Sequence, residues 1–119
     1  GKFAREVLAR AGVAAIRENS RSGMIDTFRD RVMFPIHDER GRVISFGGRI
    51  LPDSPYQNTG KYINGTDTPV FHKSKVIFGF SQARDAIRKS GTAVVTEGYV
   101  DCIKAHQAGV LNAVGTLGT

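Results

Sequence analysis

Tryptophan is absent from this 119-residue chain, and cysteine occurs once, at Cys102. A single thiol excludes a disulfide framework, and with three scattered histidines it does not complete a zinc site. Cys102 reads instead as a small buried residue on a helix. No apolar run is long enough to span a bilayer and no secretory leader is evident, so the expectation is a soluble cytoplasmic protein without a membrane partner. Internal repeats and low-complexity segments are lacking too. There are only four prolines, and three of them fall between Pro52 and Pro69. The chain starts at Gly1 rather than at methionine and stops inside Gly115-Thr-Leu-Gly-Thr119. We therefore expect a piece of a longer protein, long enough for one modest domain or two half-domains.

Charge of one sign is in excess. The net charge is +6, and residues 1–50 hold ten Lys/Arg against six Asp/Glu. Residues 51–90 hold six against three, whereas residues 91–119 hold one against two. A basic body thus leads into a mildly acidic end, which suits a polyanion on one part and a cation on another.

At the start, Phe3, Val7, Leu8 and Ala11 recur at helical spacing, Glu6 can pair with Lys2 and Arg10, and Gly12 is a natural stop. Residues 13–27 lack a period and read as loop with at most a short strand. Val32, Phe34 and Ile36 alternate, Asp38-Glu-Arg-Gly41 suits a type I turn, and Val43 to Phe46 returns, so residues 31–51 predict a β-hairpin. Pro35 argues for an edge strand or a bulge, and Gly47-Gly48 for a bulge or a close backbone approach. Residues 52–70 predict a long structured loop, Lys75 to Phe80 a strand, and Ser81 the cap of a helix running to Gly91.

The most informative stretch is Thr92-Ala-Val-Val-Thr-Glu-Gly-Tyr-Val-Asp101. Ala93, Val94 and Val95 read as a short buried strand. Glu97 falls at its C-terminal end, and Tyr99 to Gln107 continue as a helix with Val100 and Ile103 inward and Gly109 as its stop. The crevice beyond the C-termini of parallel strands is where α/β folds bind ligands. An acid there is well placed for a metal ion, and Asp101 stands one helical turn on.

Glu97-Gly-Tyr-Val-Asp101 resembles the first strand–turn of a TOPRIM domain. Arg29-Asp-Arg-Val-Met-Phe-Pro-Ile36, Gly41-Arg-Val-Ile-Ser-Phe-Gly-Gly-Arg49, Lys61-Tyr-Ile-Asn64 and Phe71-His-Lys73 resemble, in order and spacing, successive motifs of the bacterial DnaG-type DNA primase catalytic core. The resemblance covers residues from about 28 to 119. It implies a mixed α/β (α+β) fold: a basic N-terminal subdomain rich in antiparallel strands, residues 1–80, followed at 81–119 by the incomplete opening β-α-β of a TOPRIM fold. The activity implied is synthesis of short RNA primers on a single-stranded DNA template from ribonucleoside triphosphates. Partners implied are the template, the RNA primer and, through regions outside this chain, a replicative helicase. The cofactor implied is Mg²⁺ or Mn²⁺, with no zinc in this segment.

By the same resemblance Glu97 is a metal ligand or the proton acceptor for the attacking hydroxyl; Asp101 can hold the metal directly or from behind a ligand, or be an exposed first-turn aspartate favoured by the helix dipole. Arg49, Lys61 and Lys73 line a basic groove towards template or triphosphate, with Arg31 as a further nucleic-acid contact. Arginine's planar fork and the two glycines before Arg49 suit close phosphate binding. Asn64 can meet a phosphate or ribose, or serve a turn before Gly65. Tyr99 can stack or hydrogen-bond near the metal, or sit half-buried at a helix start. Of the histidines, His72 beside Lys73 is the one worth testing, and Gly115-Thr-Leu-Gly118 can offer amides to phosphate. A lone carboxylate pair rarely fixes Mg²⁺ tightly, so the segment by itself is expected to bind metal weakly and make no primer. Two other readings stand beside this one: a different TOPRIM enzyme, such as a topoisomerase or nuclease, and a non-catalytic single-stranded nucleic-acid-binding module.

Overall fold

Antiparallel pairing of Arg31–His37 (β3) with Val43–Ile50 (β4) dominates the N-terminal two-thirds of the chain. The computed structural model describes residues 3–118 and measures 53 × 32 × 24 Å. Before the hairpin come a short helix, Arg5–Arg10 (α1), and two three-residue strands, Ala14–Ile16 (β1) and Met24–Asp26 (β2), which pair antiparallel. The 13–27 segment is thus more ordered than its sequence suggests; strands this short show no alternation to detect. Lys2, one of the partners considered for Glu6, lies outside the described residues.

The turn forms as the sequence predicts. The Asp38 carboxylate accepts the Arg40 and Arg42 backbone N–H groups at 2.9 Å each and meets Arg42 Nε at 2.7 Å. The Arg42 N–H is the main reason this carboxyl lies below the usual range. Pro35 sits in β3, which among the described residues has a partner only on its β4 side, so its missing N–H leaves no ladder bond unmade. A register shift between Ile36 and His37 adds the bulge.

A third strand, Tyr62–Asn64 (β5), completes the sheet in the order β3-β4-β5. It lies inside the stretch expected to be loop, framed by Gly60 and Gly65. Alternation assigns the two faces of this sheet. Phe34, Gly47, Arg49, Tyr62 and Asn64 share one face, because Gly47 is paired with both Phe34 and Asn64, and Arg49 with Tyr62. Arg31, Gly48 and Ile63 share the other.

The segment 75–80, expected as a strand, is extended with only one bridge, Phe78 to Gly115. The helix Phe80–Ser90 (α2) is not capped by Ser81; its N-cap is Gly79 at φ 80°, a conformation open to glycine. Ser81 donates instead to Gln82 Oε1. Gly91 ends α2, as expected.

Val94–Thr96 (β6), Tyr99–Gln107 (α3) and Ala113–Gly115 (β7) then form one β-α-β unit with the two strands parallel. Two expectations fail here. Val94 and Val95 are 44% and 65% exposed, because β6 has a strand partner on one side only among the described residues. On α3 the inward residues are Tyr99 and Cys102, not Val100 and Ile103, so the helical phase is turned by one residue. Ile36, Phe71, Tyr99 and Leu117 form the core, which joins the basic sheet to the β-α-β unit.

Candidate functional site

Glu97 occupies the turn between β6 and α3, where the strand's apolar run has ended and Gly98 opens the chain into the helix. Its side chain borders a cleft of about 740 Å³. Asp101, Asn64, Tyr62, Tyr99 and Lys73 border the same cleft, as does the Thr116–Gly118 stretch beyond β7. The acidic turn therefore faces β5 and the segment after it.

Each cation is held differently. Lys73 opens a 3₁₀ turn, Lys73–Lys75, whose start is fixed by Asp67: its carboxylate accepts the Lys73 N–H at 3.0 Å and stands 3.6 Å from His72 Nδ1. That N–H is also the main reason the Asp67 carboxyl lies below its usual range. His72 thus has a local carboxylate partner. Arg49 shares the sheet face that Tyr99 covers; its guanidinium carbon lies 5.2 Å over the Tyr62 ring, and Nη1 donates to the Ile50 carbonyl. Arg49 thus stands behind Tyr62, which lines the cleft, and is not itself a lining residue. Lys61 is exposed beside Tyr62 and does not line the cleft.

Arg31 is placed elsewhere. On the opposite face of the sheet it donates to the carbonyls of Gly48, Gly60 and Lys61 and to the Thr59 hydroxyl at 2.8 Å. Burial first, then Arg29 and Arg49 nearby, lower its pKa. This side chain thereby ties the 59–61 turn to the hairpin. Arg29 stacks 4.2 Å over Tyr56.

Tyr99 is buried rather than half-exposed, at 4% of its free surface. Its ring stacks on Phe34 with centroids 5.2 Å apart and meets Phe78 edge-on at 4.9 Å. Burial pushes the phenol up to about 12. Gly47 makes this possible: any Cβ there would overlap the phenol end of the ring. Asn64 donates Nδ2 to the Leu117 carbonyl at 2.6 Å, which ties β5 to the segment after β7. The Tyr99 hydroxyl and Asn64 Oδ1 are both closed to solvent and have no hydrogen-bond partner among the described residues. Neither atom is presented to the cleft for direct contact with a ligand. Gly47 supplies the close approach expected of the Gly-Gly pair, whereas Leu117 as the partner of Asn64 was missed by sequence reasoning.

Glu97 and Asp101 are exposed and form no ion pair among the described residues. Hard carboxylate oxygens suit Mg²⁺, which needs only one or two protein ligands when phosphates and water supply the rest. The donor set is compatible with such an ion in that limited sense. No cluster of three or more His, Cys, Asp or Glu able to hold a metal occurs among the described residues. Nor, among them, is any helix long and apolar enough to cross a membrane.

Residues 1–84 match the family model for the N-terminal domain of the DNA primase catalytic core. A DNA primase of Synechococcus elongatus is 46% identical over 119 residues, which cover 99% of this chain and 16% of that protein. The chain thus spans about a sixth of the length of that relative. A crystal structure of a DNA primase domain from Pseudomonas aeruginosa superposes with a TM-score of 0.81 at 48% identity, covering 96% of this chain and 34% of the other. The RNA polymerase domain of Mycobacterium tuberculosis primase DnaG, in complex with a double-stranded DNA oligomer with a 6-nucleotide overhang, gives 0.85 at 38% identity, covering 99% and 36%. The mixed α/β architecture with its antiparallel sheets matches these relatives, and the chain belongs to the bacterial DnaG-type DNA primase catalytic-core family.

Proposed function

We propose that this chain is the part of a primase core that brings the reacting phosphates and the first metal-binding carboxylate together. The whole protein would join ribonucleoside triphosphates on a single-stranded DNA template and release pyrophosphate, working at the bacterial replication fork. The observation that carries this reading is the shared cleft, where Glu97 and Asp101 face Lys73 and the Arg49–Tyr62 rim. Phosphoryl and nucleotidyl transfer ask a protein chiefly for positioning and for stabilisation of negative charge. In this arrangement Lys73 and Arg49 attract the phosphates, with Lys61 just before β5 as a further cation. Tyr62 offers a ring for a base or for the guanidinium. Glu97 holds the metal or accepts the proton of the attacking 3′-hydroxyl. A bound Mg²⁺ or Mn²⁺ would supply charge neutralisation at the transferring phosphate. We assign the basic body to residues 1–80 and the acidic unit to 81–119, as the opening of a TOPRIM fold. The helicase contact belongs to the rest of the protein.

The deciding experiment uses Glu97→Gln in the full-length primase. Primer synthesis should fall by at least a hundredfold while affinity for single-stranded DNA is kept. Synthesis within a few-fold of the parent would leave only a binding role for this site.

A further inference from the structure

Two buried polar atoms without partners among the described residues lie where the acidic turn meets the basic sheet, and their chemistry is complementary. Tyr99 carries a hydroxyl that can donate; Asn64 Oδ1 can only accept. The amide orientation of Asn64 is fixed, because its Nδ2 donates to the Leu117 carbonyl, which has no proton to give in return. The two side chains also approach each other across one strand pair. Gly47 is the direct cross-strand partner of Asn64, and the Tyr99 hydroxyl fills the place that a Cβ on Gly47 would take. Directly opposed Cβ positions stand about 4.5–5.5 Å apart, so the hydroxyl is within one short side chain's length of the amide. Both atoms are closed to solvent. A sugar or base could reach them only by opening the core, whereas a small approach of α3 to β5 would satisfy both at once.

Tyr99 is the first residue of α3, two positions from Glu97 and two from Asp101. Its ring is gripped by Phe34 from β3 and by Phe78, so movement of the ring and movement of the carboxylates are coupled. We propose that Tyr99 and Asn64 are a positioning pair: the phenol donates to Asn64 Oδ1 as the cleft closes on its ligand, and this draws Glu97 and Asp101 towards β5 and Lys73. The inference rests on the function proposed above. Neither residue touches the reacting atoms; both act through the placement of the carboxylates. The open pairing stores the cost of two unmade hydrogen bonds, and closure releases it.

The test uses full-length primase with Tyr99→Phe, which keeps the ring packing and removes only the hydroxyl. Four quantities are read: the Mg²⁺ concentration for half-maximal primer synthesis, Mn²⁺ binding in the presence of ATP, single-stranded DNA affinity, and the thermal midpoint. The expected result is a roughly tenfold weaker metal response in both metal measurements, the scale seen when a residue that orients a metal ligand is removed. DNA affinity should be unchanged and the thermal midpoint no lower than the parent's. Metal response identical to the parent overturns the proposal, as does a lowered midpoint with an unaltered metal response. A selective gain in deoxyribonucleotide use would assign the hydroxyl to the substrate sugar and equally overturn it. If the parent itself makes no primer, the reading of function fails, and Mn²⁺ binding still decides whether the pair positions the carboxylates.

Discussion

Arg31 and Arg49 stand on opposite faces of one antiparallel ribbon: Arg31 pairs with Ile50 and Arg49 with Val32. Two arginines from neighbouring motifs, alike in charge, thereby receive different work. Arg49 reaches the cleft side over Tyr62, while Arg31 spends its nitrogens on the carbonyls of the 59–61 turn.

Substitution should separate them. Arg31→Ala is expected to lower unfolding free energy by about 1–3 kcal/mol, because several charge-assisted bonds to carbonyls are lost together. Arg49→Ala should leave stability within about 0.5 kcal/mol and reduce affinity for single-stranded DNA or triphosphate. Denaturant unfolding beside a binding titration checks both; a reversed pattern would exchange the two roles.

Salt dependence reports how many phosphates the basic face neutralises. With Arg49, Lys61 and Lys73 each meeting one phosphate, the logarithm of single-strand affinity should fall against the logarithm of salt with a slope of about −2. Replacing all three with alanine should flatten that part of the response. A slope unaffected by the triple substitution would move the binding track elsewhere on the protein.

Gly47→Ala should be among the costly small substitutions. The added methyl would lie 2.6 Å from Tyr99 Cε2, closer than such atoms approach. Overpacking of this kind costs on the order of 1–3 kcal/mol. The loss should be partly recovered in Gly47→Ala with Tyr99→Phe, since the hydroxyl end of the ring is what the methyl meets first. Thermal unfolding of the single and double variants measures the recovery.

Alkaline pH should probe Tyr99 directly. Its phenol titrates at about 12 in the folded protein, pushed up by burial, against about 10 when exposed. The folded state therefore holds this proton more tightly than the unfolded state does. The contribution is fully present below pH 10 and is lost as pH rises towards 12, a change of roughly 2–3 kcal/mol. Tyr99→Phe should lack this component of the alkaline loss, and at pH 8 it should be at least as stable, because it removes a buried hydroxyl without a partner.

The sequence made some of this legible and concealed the rest for identifiable reasons. The Asp38–Gly41 turn and the Val94-to-Gln107 strand–turn–helix could be read because turn residues and a β-branched run stopping at Glu97 are local signals. Strand β5 could not be, since three residues between Gly60 and Gly65 carry no period and gain their state from β4. The face of Arg31 was readable in principle: it alternates with Val32, Phe34 and Ile36, and so lies opposite them. Grouping it with Arg49 by motif rather than by pleat obscured this. The phase of α3 was set by tertiary contact, as Tyr99 seats on Gly47 and turns Cys102 inward instead of Ile103. Cleft membership of Asn64 and Lys73 depended on long-range pairing that no window of sequence contains.

The bond from Asn64 to the Leu117 carbonyl spans 53 positions of chain, and this has a consequence for the order of events at the ribosome. Synthesis from the N-terminus lets β3, β4 and β5 pair as soon as residue 64 has emerged. The carboxylate turn must wait until Leu117 is also outside the exit tunnel. A nascent chain therefore carries its cationic sheet well before it can close the pocket that gives that sheet a use.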